Sequence, residues 1–278
     1  MKLDKYIKTK IEKLNKKNIE NPLQEIRYIL LEKLGLSLEE QIFKEDIILE
    51  KTQLKELDKI FEERVQGKPL TKILKKSYFR DISLIVNKHT FSPRIDSEVL
   101  IDILIKEKIS IKKILELGTG TGALSISLLK HYKSANSLVT DISKEAIYIA
   151  KKNAILNGTV NQMRFICCDW LNCFDNLNFD ILISNPPYIK RSEIMNLDLE
   201  VRKHDPLSSL DGGADGLEAY RNILNSIKKI GKKNLPVLFE IGFNQAQCVT
   251  KMMKKNGLKS IKVFNDYCNL PRCVLGKT

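Results

Sequence analysis

Four consecutive residues, Asn185-Pro186-Pro187-Tyr188, bring together a side-chain amide, two rings without backbone donors and an aromatic face. An amide offers an acceptor and donors at once. The prolines fix φ and remove two backbone N–H groups, leaving nearby carbonyls free to accept, and Tyr188 adds a surface for stacking. Together these groups can hold a planar amino nitrogen by both of its N–H bonds and turn its π face toward an electrophile. The alternative is a proline turn that merely ends a strand. Residues 179–184, FDILIS, lead straight into the four; Ile181, Leu182 and Ile183 read as a buried parallel strand whose carboxyl end opens onto a crevice.

A second cluster lies upstream. In Glu116-Leu117-Gly118-Thr119-Gly120-Thr121-Gly122 the glycines let the backbone turn tightly and approach a ligand, and the helix expected next presents free N–H groups. Gly118, Gly120 and Ala123 equally satisfy the G-x-G-x-x-[GA] pattern of nicotinamide enzymes. Asp141, 23 residues after Gly118, suits a carboxylate that binds two ribose hydroxyls in either case. Glu116 can balance a positively charged ligand group, or stand in solvent at a strand end. Asp169-Trp170, with the only tryptophan, can flank an adenine ring, or Trp170 can belong to the core.

Positioning these groups requires an α/β fold. Strands are expected at residues 114–117, 138–141, 163–167, 179–184 and 237–241. Helices are expected at 123–130, 143–156 and 217–230. Such alternation gives a doubly wound, mostly parallel sheet with right-handed crossovers. With strand order 3-2-1-4-5, the chain reverses between strands 1 and 4, so the glycine loop and Asn185 face one another at the switch point. Residues 260–264 and 273–275 around Pro271 read as a closing hairpin. Residues 76–95 read as a hairpin and connector, ahead of a helix capped by Asp96 with Val99, Leu100, Ile103 and Leu104 on its apolar face. The catalytic domain is expected over 96–278. Residues 1–75 read as a small helical domain, with Asn21 capping a helix that starts at Pro22 and stops at Gly35, a capping box at Ser37 and Glu40, and a third helix from a Thr52 cap toward Gly67. That domain either recruits substrate or is a packing appendage.

Composition sets the limits. The chain has 278 residues, with no apolar run long enough for a membrane span and no signal-peptide core at Met1, so a cytoplasmic protein is expected. Six cysteines form no C-x-x-C pair and there are three histidines, so no metal is expected. The formal charge is +13, but it is spread along the chain: residues 1–75 carry 17 basic and 14 acidic side chains, and residues 76–278 carry 30 and 20. Lysine bias is therefore preferred to a phosphate-binding surface.

The NPPY run resembles the Asn/Asp-Pro-Pro-Tyr motif of methyltransferases that use S-adenosylmethionine on exocyclic or amide nitrogens. Over residues 65–276 the chain resembles the HemK/PrmC family, N5-glutamine methyltransferases acting on the GGQ glutamine of class-1 peptide chain release factors. The resemblance rests on Gly67-Lys-Pro-Leu, Phe91-Ser-Pro-Arg, Gly118 to Gly122, Asp141, Asn153-Ala154, Asp169-Trp170, Asn185 to Tyr188, Asp205-Pro206, Leu210-Asp-Gly-Gly and residues 215–221. It implies a Rossmann-like methyltransferase fold with S-adenosylmethionine on Glu116, Gly118, Thr119, Gly120, Thr121, Gly122, Asp141, Asp169, Trp170 and Asn185. It further implies a glutamine seated by Asn185, Pro186, Pro187 and Tyr188, with Asn185, Pro186 and Tyr188 carrying catalysis. A monomer acting on release factors is expected, with no membrane and no direct nucleic-acid contact required. A sister family acting on a ribosomal-protein glutamine shares nearly all these motifs, and a nucleic-acid amino-group methyltransferase shares the NPPY run.

Overall fold

The computed structural model describes all residues except 45, 173, 175–177 and 228–231. The chain divides into two compact units, Met1–Leu74 and Lys75–Thr278.

In the first unit, apolar residues at helical spacing build α1 (Leu3–Asn15), α2 (Pro22–Leu34), α3 (Leu38–Phe43), α4 (Lys51–Val65) and α5 (Leu70–Leu74) around Leu14, Ile26, Ile29, Leu30, Leu57 and Phe61. Burying each such side chain contributes roughly 1.5–3 kcal/mol. Buried cations are paired within this packing: Lys10 meets Asp58 at 2.5 Å, and Arg64 grips Glu25 with Nε at 2.8 Å and Nη2 at 3.1 Å. The Ser37–Glu40 capping box is present, with bonds of 2.9 and 3.1 Å, and Gly35 ends α2 at φ +68°. Two expected caps are corrected. Asn21 occupies the cap position of α2 in a left-handed conformation that turns its side chain away from capping. Helix α4 starts one residue before Thr52, because Gln53 reaches back to the Glu50 N–H at 2.9 Å and fixes the first turn there.

The second unit opens with the antiparallel hairpin β1 (Lys76–Phe79) and β2 (Ile82–Ile85), then a 3₁₀ turn at Ile95–Ser97 and α6 (Glu98–Lys106). Next come β3 (Lys113–Leu117), α7 (Ala123–His131), β4 (Asn136–Asp141), α8 (Lys144–Leu156), β5 (Met163–Cys167) and β6 (Ile181–Ser184). After α9 (Leu199–His204) and α10 (Glu218–Ile227) follow β7 (Pro236–Glu240), α11 (Ala246–Lys255), β8 (Lys259–Asn265) and β9 (Pro271–Lys277). The last part of the helix expected at 217–230 lies outside the described residues. Strand β6 begins at Ile181 rather than at 179, because Asp180 turns its carboxylate back to the N–H groups of Lys112 and Lys113. Asp96 does not cap α6. Its carboxylate faces Arg272 at 3.5 Å, and Ser97 takes the cap position without a capping bond.

The sheet order is β5-β4-β3-β6-β7-β9-β8, parallel through β7 and antiparallel beyond it. Its first five strands follow the expected 3-2-1-4-5 order. The tail forms the expected hairpin at the end of the sheet, with longer strands than expected, and its second strand, β9, lies between β7 and β8. Strand alternation divides the core in two. Ile114, Ile181, Ile183 and Leu238 pack with α6 and α7 on one face, while Leu115, Leu182, Val237 and Phe239 pack with α10 and α11 on the other. Both faces are covered, as a doubly wound sheet requires.

Candidate active site

Because β3 and β6 are neighbours, the loop after each opens at the same edge of the sheet. Both line one cavity of about 850 Å³, whose walls include Glu116, Gly118, Thr119, Gly120, Thr121, Asp141, Asp169, Trp170, Asn185, Pro187 and Tyr188. Two expected site residues stand outside those walls. Pro186 is buried in the turn, and Gly122 is the cap of α7 at φ +83°, packed against Ile126 and Ala150.

On the glycine side, Gly120 takes φ +55°, and the direction a side chain would occupy is open space. A ligand can approach the backbone closely there. The Gly120 N–H donates to Asp141 Oδ2 at 2.8 Å and the Ser143 N–H to Oδ1 at 2.9 Å. A carboxylate has about four acceptor sites, so these bonds do not exhaust it. Burial, opposed by those backbone donors, raises the Asp141 pKa above its ordinary value. Glu116 does not stand in solvent. It is 1% exposed, and Oε2 accepts the Ser125 N–H at 3.0 Å in the first turn of α7. Burial pushes its pKa up to about 7, against hydrogen bonds from Ser125 and Thr119, with the charge of Asp141 adding to the rise. The Trp170 ring packs on the second core cluster and also borders the glycine loop, reaching to 3.5 Å of where a Gly118 side chain would begin. Asp169 is exposed at the rim and accepts from the Asn172 amide at 3.2 Å.

On the NPPY side, Asn185 Nδ2 donates to Ser97 Oγ at 3.1 Å, so its donor end is engaged and Oδ1 remains an acceptor. The turn is braced from behind. The Ile189 N–H donates to the Leu210 carbonyl at 3.0 Å, the Gly212 N–H to the Ile189 carbonyl at 2.8 Å, and Gln245 Nε2 to the carbonyls of Tyr188 and Gly216 at 2.9 and 3.0 Å. Gly216, at φ +75°, must be glycine, since a Cβ would fall 2.5 Å from the Tyr188 oxygen. Among the described residues no hydrogen bond uses the Pro186 carbonyl. The Tyr188 phenol is pushed up to about 12, chiefly by burial and then by the charge of Glu240, so it stays protonated at neutral pH.

Sequence reasoning missed Ser97, Glu240, Gln245 and Arg272. Glu240 ends β7 at 3% exposure, on the face shared with Leu238. Gln245 follows Gly242 by three residues and accepts its N–H at 3.0 Å, a local turn signal available in the sequence. Asn153, noted only within the resemblance, joins the hairpin to the glycine loop: Oδ1 accepts the Ile85 N–H at 2.6 Å and Nδ2 donates to the Thr121 carbonyl at 2.9 Å.

The chain is similar to known proteins over both of its units. Residues 7–74 match the PrmC N-terminal domain and residues 87–200 the Methyltransferase small domain. A release factor glutamine methyltransferase of Agrobacterium fabrum is 36% identical, with 92% of this chain and 90% of that protein covered. A bifunctional methyltransferase of Rickettsia felis is 32% identical over 95% of this chain, which spans only 56% of that longer protein. Among solved structures, ribosomal protein L11 methylase from Lactobacillus delbrueckii subsp. bulgaricus shares the fold at a TM-score of 0.51, with 17% identity over 70% of this chain and 83% of that one. By its likeness to the Agrobacterium protein along nearly the whole of both chains, this protein belongs to the release factor glutamine methyltransferase family.

Proposed function

We propose that the chain transfers a methyl group from S-adenosylmethionine to the side-chain nitrogen of the GGQ glutamine of class-1 release factors. The observation that carries the reading is the orientation of Asn185: its N–H is engaged by Ser97, which leaves an amide oxygen in a cavity shared with the glycine loop. The glycine side fits S-adenosylmethionine by its donor set. Asp141 has lone pairs for two ribose hydroxyls, Glu116 a buried carboxylate for a cationic amino acid end, Gly120 an open approach, and Trp170 and Asp169 a face and an acceptor for adenine. Bound there, the cofactor supplies an electrophilic methyl on a sulfonium.

An amide nitrogen is a weak nucleophile because its lone pair is delocalised into the carbonyl. Asn185 Oδ1 accepts one N–H of the glutamine, and the unused Pro186 carbonyl is the acceptor for the other. Held by two fixed acceptors, the nitrogen presents its π face to the methyl, and positive charge developing on it meets dipoles already in place. Such orientation contributes up to roughly 7–11 kcal/mol in favourable cases. As the new N–C bond forms and the S–C bond breaks, the nitrogen becomes strongly acidic, and its proton passes to water without a side-chain base. Tyr188, protonated at neutral pH, stacks rather than deprotonates. The family relationship supports the substrate, and the cavity supports the cofactor. Residues 1–74 form a helical unit with its own core, and we assign it to recruitment of the protein substrate.

The test offers labelled methyl donor to a release factor, a ribosomal protein and DNA side by side. Mass spectrometry should place one methyl on the GGQ glutamine. Label only on the ribosomal protein or DNA would replace the substrate.

A further inference from the structure

We propose that Glu240 is a positioning residue that, together with the Ser97 hydroxyl, fixes which end of the Asn185 amide faces the cavity. The inference rests on the reading above, in which Asn185 must present an oxygen and not an NH₂ to the substrate amide.

The two ends of an asparagine amide are nearly the same size, so packing alone does not choose between them. Ser97 does not choose either, since a hydroxyl both donates and accepts. With its hydrogen turned toward Asn185 it would bind Oδ1 and expose the NH₂. Two donors would then face each other across the cavity, and the substrate amide would be repelled. Something behind Ser97 must orient its hydrogen.

Glu240 stands there. It is 3% exposed and does not line the cavity, and its Oε2 has no hydrogen-bond partner. An ionised carboxylate can only accept. Ser97 and the Asn185 amide each stabilise its charged form by a side-chain hydrogen bond, so the carboxylate acts on Asn185 directly as well as through Ser97. The Ser97 hydrogen therefore points at Glu240, its lone pair accepts from Asn185 at 3.1 Å, and Oδ1 is left for the substrate. No neighbour removes the demand for a donor. Arg272 on β9 is held by Asp266 at 2.9 Å and Asp96 at 3.5 Å. Tyr220 on α10 donates to the Glu240 backbone carbonyl at 2.9 Å rather than to the carboxylate.

Protonation reverses the chain. A neutral Glu240 can donate to Ser97, which frees the Ser97 hydrogen for Asn185 Oδ1 and lets the amide turn over. Burial pushes the Glu240 pKa up to about 7, with Ser97, Arg272 and Asn185 pulling it down and Asp96 raising it. The other titratable groups facing it, Tyr188, Tyr220 and Cys273, have their own pKa values raised by burial and are neutral in this range. The active orientation therefore belongs to the ionised state, and turnover rises with pH through about 7.

The test compares wild type, Glu240→Gln, Ser97→Ala and the double variant on an intact release factor at saturating S-adenosylmethionine, from pH 6 to 9. For Glu240→Gln at pH 8 we expect kcat to fall about tenfold or more, the lower end of what removing a supporting partner costs. KM for the release factor and cofactor affinity should stay within about threefold, and the rise of kcat near pH 7 should disappear. Ser97→Ala should lower kcat similarly, and the double variant should be no worse than the lower single, because both act through one chain of bonds. Wild-type kcat in Glu240→Gln, or a fall in kcat that keeps the pH rise and lowers Tm in step, would overturn the inference and leave the function standing. Absence of glutamine transfer by the wild type would overturn both.

Discussion

Replacing Glu116 by Gln separates what this carboxyl does for the fold from what it does for the ligand. Shifting one buried carboxyl from its ordinary 4.5 to about 7 corresponds to about 3 kcal/mol, at about 1.4 kcal/mol per decade of acidity. Its sign is fixed. Below pH 4.5 both folded and unfolded chains hold the proton, whereas between 4.5 and 7 only the folded chain does. Stability is therefore fully present below the lower value and is lost as pH rises through the upper one. Glutamine has no proton to lose, so Glu116→Gln removes that decline. Glu240 titrates alike in both proteins, so its contribution cancels, and the Ser125 N–H keeps an oxygen acceptor in both. The stability difference between variant and wild type should move by about 2–3 kcal/mol in favour of the variant from pH 5 to pH 8. Urea unfolding followed by the fluorescence of Trp170, the single tryptophan, reads the catalytic unit alone. The same variant should bind S-adenosylmethionine at least tenfold more weakly at pH 8, where the wild type offers a carboxylate to the cationic end. Parallel stability curves for the two proteins, or equal cofactor affinity at pH 8, would refute the assignment of Glu116.

Asn185→Ala should leave cofactor affinity within a few-fold and cut methyl transfer by roughly 10² or more, as when one preorganised partner is removed; transfer within threefold of wild type would dismiss Asn185. Asn185→Asp should be nearly as inactive, since it loses the N–H to Ser97 and sets a second carboxylate beside Glu240. Asp141→Ala should weaken S-adenosylmethionine binding in calorimetry by about 2 kcal/mol or more, because charge-assisted bonds are lost and the Gly120 N–H loses its acceptor. Gly216→Ala should lower both Tm and transfer, since its Cβ would meet the Tyr188 oxygen at 2.5 Å; an unchanged Tm would dismiss the brace. A chain lacking residues 1–74 should show a higher KM for intact release factor with unchanged cofactor affinity, measured in steady-state assays.

The sheet was legible because its signals are local and repeat: apolar runs of four to six residues, helical spacing between them, and one reversal that places Gly118 opposite Asn185. The insertion of β9 beside β7 was not legible. The tail reads as a hairpin wherever it docks, and the choice of inner strand depends on tertiary pairing, in which Val274 fills the face with Phe239 while Cys273 joins Leu238. The glycine side of the site was legible because its residues stand at or just past the ends of three strands, β3, β4 and β5, that the sequence marks in succession. Glu240 was not, since a carboxylate closing an apolar run reads as an ordinary strand end, and its partner Ser97 is 143 positions upstream.

At the start of α6 the capping signals go unused. Asp96 and Ser97 have the types and positions of helix starters, yet α6 begins without a capping bond, which forgoes about 1 kcal/mol of helix stability. Their side chains are engaged elsewhere, Asp96 with Arg272 and Ser97 with Asn185. By contrast Ser37, in the helical unit, caps as its sequence predicts. A local rule broken by two adjacent residues, both lining the cavity, indicates selection for the site over the helix. Strand parity completes the argument. Glu116 shares a face with Ile114 and Glu240 with Leu238, so both carboxylates point toward the side covered by α6 and α7. There Ser125 on α7 meets Glu116, and Ser97 before α6 meets both Glu240 and Asn185. Each of these strand-end carboxylates thus meets a serine at a helix start, one serving the cofactor side and the other orienting the amide that receives the substrate.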